Sequence, residues 1–160
     1  MTRRGKGRTV LRLVEIDEGN WLDFARLSVG EDQAGFCDNA GGIIARGYVY
    51  RSSRARVIGI TDGHTAVGLA LVKDLDEEPA CYDLQQFMID RSFQGRGYGT
   101  AALRLILSEL AEERKYDCVE VCVKRDDAVA LHVYEKVGFV DTGYVDDDAP
   151  DCLNLRLTLR

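Results

Sequence analysis

The segment Gln94-Gly95-Arg96-Gly97-Tyr98-Gly99 limits what this chain can fold into more than any other stretch. It follows an apolar run, Phe87-Met88-Ile89, and precedes a long helical pattern. Its glycines can adopt left-handed backbone angles and leave their N–H groups uncovered. At a strand-to-helix junction these groups join the unpaired N–H groups of the first helical turn, where the helix dipole is positive. Such a junction holds an anion, phosphate above all. Arg91 and Arg96 add positive charge beside it. Gln94, Gly95, Arg96, Gly97, Tyr98, Gly99 and Thr100 are therefore candidate ligand-binding residues. A P-loop would place a lysine before Ser or Thr, and Gly99-Thr100 has none. Gly97-x-Gly99-x-x-Ala102 fits a dinucleotide fingerprint, but that fold opens a long parallel sheet with this unit. Here other strands come first and only residues 100–160 follow. A glycine-rich turn without any ligand is the plain alternative.

The elements around the loop predict a mixed α/β fold. Thr9 to Ile16 alternates apolar and polar residues and reads as a strand. Asn20 to Val29 reads as a short helix with Trp21, Phe24 and Leu27 on one stripe. Asp32 to Tyr50 has a helical pattern but carries Gly35, Gly41, Gly42 and Gly47. Each interior glycine costs a helix about 0.5–1 kcal/mol, so irregularity is expected there. Arg56 to Thr61 and Ala66 to Lys73 flank Asp62-Gly63, a strong hairpin signal. Pro79 to Asp90 is a third strand. Gly97 to Lys115 is the clearest helix, with Ala102, Leu103, Ile106, Leu107 and Leu110 on its apolar stripe. Asp117 to Lys124 reads as a strand, and Asp126 to Val137 as a helix closed by Gly138. Phe139 to Tyr144 and Cys152 to Leu159 are final strands joined by the acidic turn 146–151. An antiparallel meander followed by a β-α-β unit predicts a mixed, mostly antiparallel sheet of about seven strands with helices on both faces.

Composition narrows the classes. A chain of 160 residues suits one domain spanning 1–160, with residues 1–8 as a basic, flexible arm. Apolar residues make up 46% and charged residues 30%, an ordinary globular balance. No run approaches the roughly 20 apolar residues of a membrane helix, so no membrane partner is expected. The net charge of -6 argues against non-specific nucleic-acid binding. Five cysteines, an odd number with no C-x-x-C pair, make neither a disulfide framework nor a zinc pattern. Cys118 and Cys122 share one side of a strand, where thiols pack well. A reducing, cytoplasmic setting follows. With two histidines, His64 and His132, far apart, no metal site is expected.

Two motifs carry a family resemblance. Gln94-x-x-Gly97-x-Gly99 is similar to the phosphate loop Q/R-x-x-G-x-G/A of the GNAT N-acetyltransferase superfamily. Ala130-Leu131-His132-Val133-Tyr134-Glu135-Lys136-Val137-Gly138-Phe139 resembles its A-x-x-x-Y-E-K-x-G-F stretch. The order of elements agrees over nearly the whole chain. Leu11 to Val14, the Trp21 helix, Gln33 to Asn39 and Phe87 to Asp90 look more narrowly like bacterial diamine and polyamine acetyltransferases.

The resemblance implies an acyl-CoA N-acyltransferase fold, acetyl-CoA as acyl donor and a small-molecule amine as acceptor. Protein, peptide and aminoglycoside acceptors, or a non-catalytic acyl-CoA-binding domain, stand as alternatives. It implies that the backbone of Phe87, Met88 and Ile89 pairs with the pantetheine arm. Tyr134 takes the role of acid to the leaving thiolate, because a phenol with a pKa of about 10 matches a thiolate of similar basicity. Asp83 stands where other members carry a carboxylate base. In polyamine-type members an acid usually occupies the place of Gln85, and in most members Asn occupies that of Asp127, which belongs to the donor site. Glu31 and Asp32 are expected to bind the substrate, opposite the acidic turn. A homodimer is expected.

Overall fold

The computed structural model describes residues 10–160. The arm expected over 1–8, and Thr9 of the first expected strand, lie outside the described residues. In chain order the elements are β1 (Leu11–Glu15), α1 (Trp21–Ala25), α2 (Ala40–Val49), β2 (Arg56–Asp62), β3 (Thr65–Leu75), β4 (Cys81–Ile89), α3 (Tyr98–Glu113), β5 (Cys118–Lys124), α4 (Ala128–Val137), β6 (Val140–Asp141) and β7 (Cys152–Thr158). Short 3-10 turns occur at Glu31–Gln33, Arg51–Ser53 and Arg91–Phe93. The seven strands form one sheet in the order β1-β2-β3-β4-β5-β7-β6. Only β4 and β5 run parallel; every other neighbouring pair is antiparallel. The expected mixed sheet with helices on both faces is therefore what forms.

The apolar stripes decide how the layers stack. On α3, Ala102, Leu103, Ile106, Leu107 and Leu110 are buried and pack with Tyr82, Leu84, Val119, Val121 and Leu155 of the sheet. Tyr134 and Phe139 of the α4 region join the same core. On the opposite face Phe24 of α1 and Ile43 of α2 pack with Leu69, Leu71 and Met88. α2 accommodates its glycines because one is needed: a Cβ on Gly47 would lie 2.5 Å from Val57 Cγ2. The helix approaches β2 too closely for a side chain there.

Five expectations need correction. The helix expected over 20–29 ends at Ala25, because Ser28 is drawn out of it: its N–H donates to Asp90 Oδ2 at 2.9 Å and its carbonyl accepts from Arg91 N. Trp21 does not share the buried stripe with Phe24; it is 46% exposed. The pattern over 32–50 splits into the turn at Glu31–Gln33 and α2, which begins where Asn39 accepts from Gly42 N. The thiols of Cys118 and Cys122 are not packed in the core. They occupy the face of β5 opposite Val119, Val121 and Val123, and Cys122 is exposed. α1 and α2 lie over β2 and β3, so that face of β5 and β7 carries no such helical cover. The strand expected over 139–144 shrinks to β6, because Gly143 takes a left-handed φ of 74° and turns the chain away.

Candidate active site

A break in the sheet creates the site. β4 and β5 pair only at Tyr82↔Val119 and Asp83↔Glu120. Beyond that point β4 continues to Ile89 and β5 to Lys124, and the two strands diverge. The cause lies one strand away. The β3–β4 register shifts between Leu71↔Gln86 and Val72↔Leu84, so Gln85 is an extra residue without a partner. Such a bulge bends its strand and increases the local twist. The divergence opens a cavity of about 650 Å³. Residues 85–89 of β4 form one wall and residues 121–124 of β5 the other.

The glycine loop closes one end of this cavity. Gly95 and Gly97 have φ of 74° and 83°, and a Cβ on either would meet nothing within 4 Å. These glycines answer a backbone requirement and leave open space above the loop. The other two long helical starts are capped: Asn39 accepts from Gly42 N, and Asp127 accepts from Ala130 N at 3.1 Å. α3 begins at Gly97 with no side-chain cap. Among the described residues no side chain caps this start, and it lies at the positive end of a 16-residue helix beside the cavity. A pyrophosphate fits that arrangement. Among the described residues no group of three or more metal-ligating side chains gathers anywhere.

Most of the expected donor residues converge here. Phe87, Met88, Ile89, Gln94, Gly95, Gly97, Tyr98, Gly99, Thr100 and Asp127 all line the cavity, as does Gln85. Arg96 does not; it is exposed, with its guanidinium 5.8 Å from the Phe93 ring. Glu31 and Asp32 are exposed and outside the lining, and their neighbour Gln33 takes the place on the wall. Asp83 also lies outside the lining, one residue-pair behind Gln85.

Tyr134 lines the cavity from α4 and is 6% exposed. Its ring meets Phe139 edge-on at 5.3 Å. Burial pushes its phenol well above the usual value, and the charges of Asp127 and Cys37 push the same way. The hydroxyl therefore keeps its proton throughout the physiological range. Burial also raises the Asp83 carboxyl, while Lys73 and a hydrogen bond from Gln85 oppose the rise. The Lys73 Nζ stands 3.9 Å from Asp83 Oδ2. Gln85 Oε1 is buried with no donor among the described residues.

Sequence reasoning missed several contributors. Gln33, Phe36, Cys37, Cys122 and Cys152 line the cavity. Asp90, buried to 9% exposure, accepts from Ser28 N and Ser92 N and so fixes both ends of the approach to the loop. The thiols gave no signal because they depend on which face of the sheet stays uncovered. Asp90 had one: an acid between an apolar strand and Ser92, in place to cap the turn that follows.

The model of the acetyltransferase (GNAT) family matches residues 21–139. The chain belongs to that family. The spermine/spermidine N(1)-acetyltransferase of Bacillus subtilis is 29% identical over 84 residues, 52% of this chain and 55% of that protein. The N-alpha-acetyltransferase RimI of Mycobacterium tuberculosis is 33% identical over 87 residues, 54% of this chain and 52% of that protein. The matched part thus spans about half the length of these relatives. In fold, the chain superposes on the spermidine N-acetyltransferase of Vibrio cholerae, solved with CoA and spermine, at a TM-score of 0.74 and 15% identity, covering 93% of this chain and 95% of that one. No helix among the described residues is long and apolar enough to cross a membrane.

Proposed function

We propose that this GNAT protein transfers the acetyl group of acetyl-CoA to a primary amine, and that its acceptor is a small polyamine or diamine. The observation that carries the reading is the β4–β5 opening, which joins an uncapped helix N-terminus at one end to a protonated Tyr134 within it. Acetyl-CoA supplies the thioester carbonyl that a neutral amine attacks. The N–H groups of residues 95–100 hold its pyrophosphate. The edge of β4 over 87–89, left without a strand partner on the β5 side, offers its backbone to the pantetheine arm. Tyr134 Oη provides the proton for the leaving thiolate.

The amine arrives as an ammonium with a pKa near 10 and must lose a proton. Gln85 Oε1, a buried acceptor lacking a donor, takes one of its N–H groups. Asp83 stands behind Gln85, and its raised carboxyl is the general base, which takes the amine's proton through water. Glu31, Asp32 and the acidic turn 146–151 give the approach a negative field that draws in a polycation. The RimI likeness supports a second reading, an N-terminal amine on a peptide.

Thiol release from acetyl-CoA, measured against spermine, spermidine, diamines, aminoglycosides and N-terminal peptides, tests the proposal. A polyamine is expected to give the highest kcat/KM. A peptide in first place would replace the acceptor assignment with the second reading. CoA binding without amine-stimulated thiol release would overturn the enzymatic reading. Sedimentation of the same sample tests the expected homodimer.

A further inference from the structure

Gln94 opens the phosphate loop, yet its side chain is fully engaged inside the protein. Its Nε2 donates to Ile89 O at 2.9 Å and to Gln33 Oε1 at 2.7 Å. Its Oε1 accepts from Gln33 Nε2 at 3.0 Å. A primary amide has two N–H donors, and both are used. Gln94 therefore has no hydrogen left for a phosphate; it shapes the loop and grips Gln33. Both side chains line the cavity, Gln94 from the loop and Gln33 from the opposite segment. Earlier in both segments, at Ser28 in one and at Asp90 and Arg91 in the other, the same two segments are fastened again. Ser28 N donates to Asp90 Oδ2 at 2.9 Å, and Arg91 N donates to Ser28 O at 2.8 Å. The segment 28–37, which supplies Val29, Phe36 and Cys37 to the cavity wall, is held to the end of β4 and to the loop at these two places.

We infer that Gln33 is a positioning residue, and that its reciprocal amide pair with Gln94 couples the phosphate loop to the wall 28–37, so that CoA bound at the loop also orders that wall. The inference rests on the donor-site reading above. The physical basis is linkage. A ligand that fixes the loop fixes Gln94, and two hydrogen bonds pass that restraint to Gln33. The wall carries its own reporters: Gln33 N donates to Gly30 O, Ala34 N to Glu31 O and Phe36 N to Gln33 O. An amide pair of this kind lies in a part-buried setting, where its loss costs more than at the open surface.

Hydrogen–deuterium exchange with CoA itself as the probe, at concentrations that saturate each protein, tests this. In the natural protein CoA is expected to slow exchange over both 94–100 and 28–37, the latter by about threefold to tenfold. In Gln33→Leu the slowing over 94–100 should persist while that over 28–37 is lost. Gln33→Glu keeps the bond from Gln94 Nε2 but sets a carboxylate oxygen against Gln94 Oε1, so it should retain the slowing over 28–37 in part. Exchange along α3 in the same spectra checks that each variant is folded. Equal slowing over 28–37 in Gln33→Leu, or its loss in Gln33→Glu to the same extent as in Gln33→Leu, would overturn the coupling. Slowing over 94–100 alone in the natural protein would also overturn it, while leaving the donor site standing. Slowing over neither segment would overturn the donor-site reading and the coupling together.

Discussion

Tyr134 combines two demands on one side chain. Its ring belongs to the core with Phe139, and the residue also lines the cavity. Burial holds the phenol in its protonated form, which suits an acid. Tyr134→Phe keeps the ring packing and removes the proton. The expected result is a fall in kcat of about 10²–10⁴-fold, with CoA affinity changed little; titration calorimetry and thiol release measure the two separately. Asp83 adds a pH signature. Its folded pKa lies above its unfolded value. Its contribution to stability is thus fully present below the unfolded value and declines as pH rises through the folded one. Asp83→Asn should remove that decline, so thermal unfolding compared between about pH 4 and 7 should show the variant gaining on the natural protein at the upper end.

At the scale of elements, glycines separate function from packing. Gly97 meets no neighbour but needs φ of 83°. Gly97→Ala is expected to cost about 1–2 kcal/mol through backbone strain and to weaken CoA binding, because it reshapes the uncapped start of α3. Gly47 has ordinary backbone angles but lies against Val57. Gly47→Ala should cost about 1–3 kcal/mol by overpacking and leave CoA affinity unchanged. Denaturant unfolding with and without CoA distinguishes them: the CoA-dependent stabilisation survives in Gly47→Ala and shrinks in Gly97→Ala. The hairpin, α3 and its stripe were legible from sequence because each is a local pattern. The short α1 was not, since Ser28 is pulled away by Asp90, far along the chain.

Across the whole molecule, Asp74 ties together segments distant in sequence. Its side chain is fully buried at the end of β3. Arg54, from the turn after α2, and Lys115, following α3, both donate to its Oδ2, and Tyr116 lies 3.2 Å away. Burial pushes the carboxyl up, but the bonds from Lys115 and Arg54 outweigh it and the net direction is down. A lowered carboxyl stabilises the fold above its unfolded pKa and loses that contribution as pH falls through the folded one. Asp74→Ala is expected to lower stability by about 1–3 kcal/mol at neutral pH, with a smaller difference from the natural protein in acid. Chemical denaturation at two pH values reads this directly.

The sequence alone determined the glycine loop, the α3 stripe, the hairpin, the Tyr134 motif and, through their order, the family's fold. These are short-range facts, carried by residue type and periodicity. Only the tertiary structure decided where the sheet opens, because a register shift between β3 and β4 leaves Gln85 unpaired and turns β4 from β5. It also decided that Gln33, and not Glu31 or Asp32, reaches the cavity, that Asp83 sits behind Gln85, and that the thiols of β5 face away from the core. Register and layer coverage are settled by pairing between distant segments, and no local pattern contains that information.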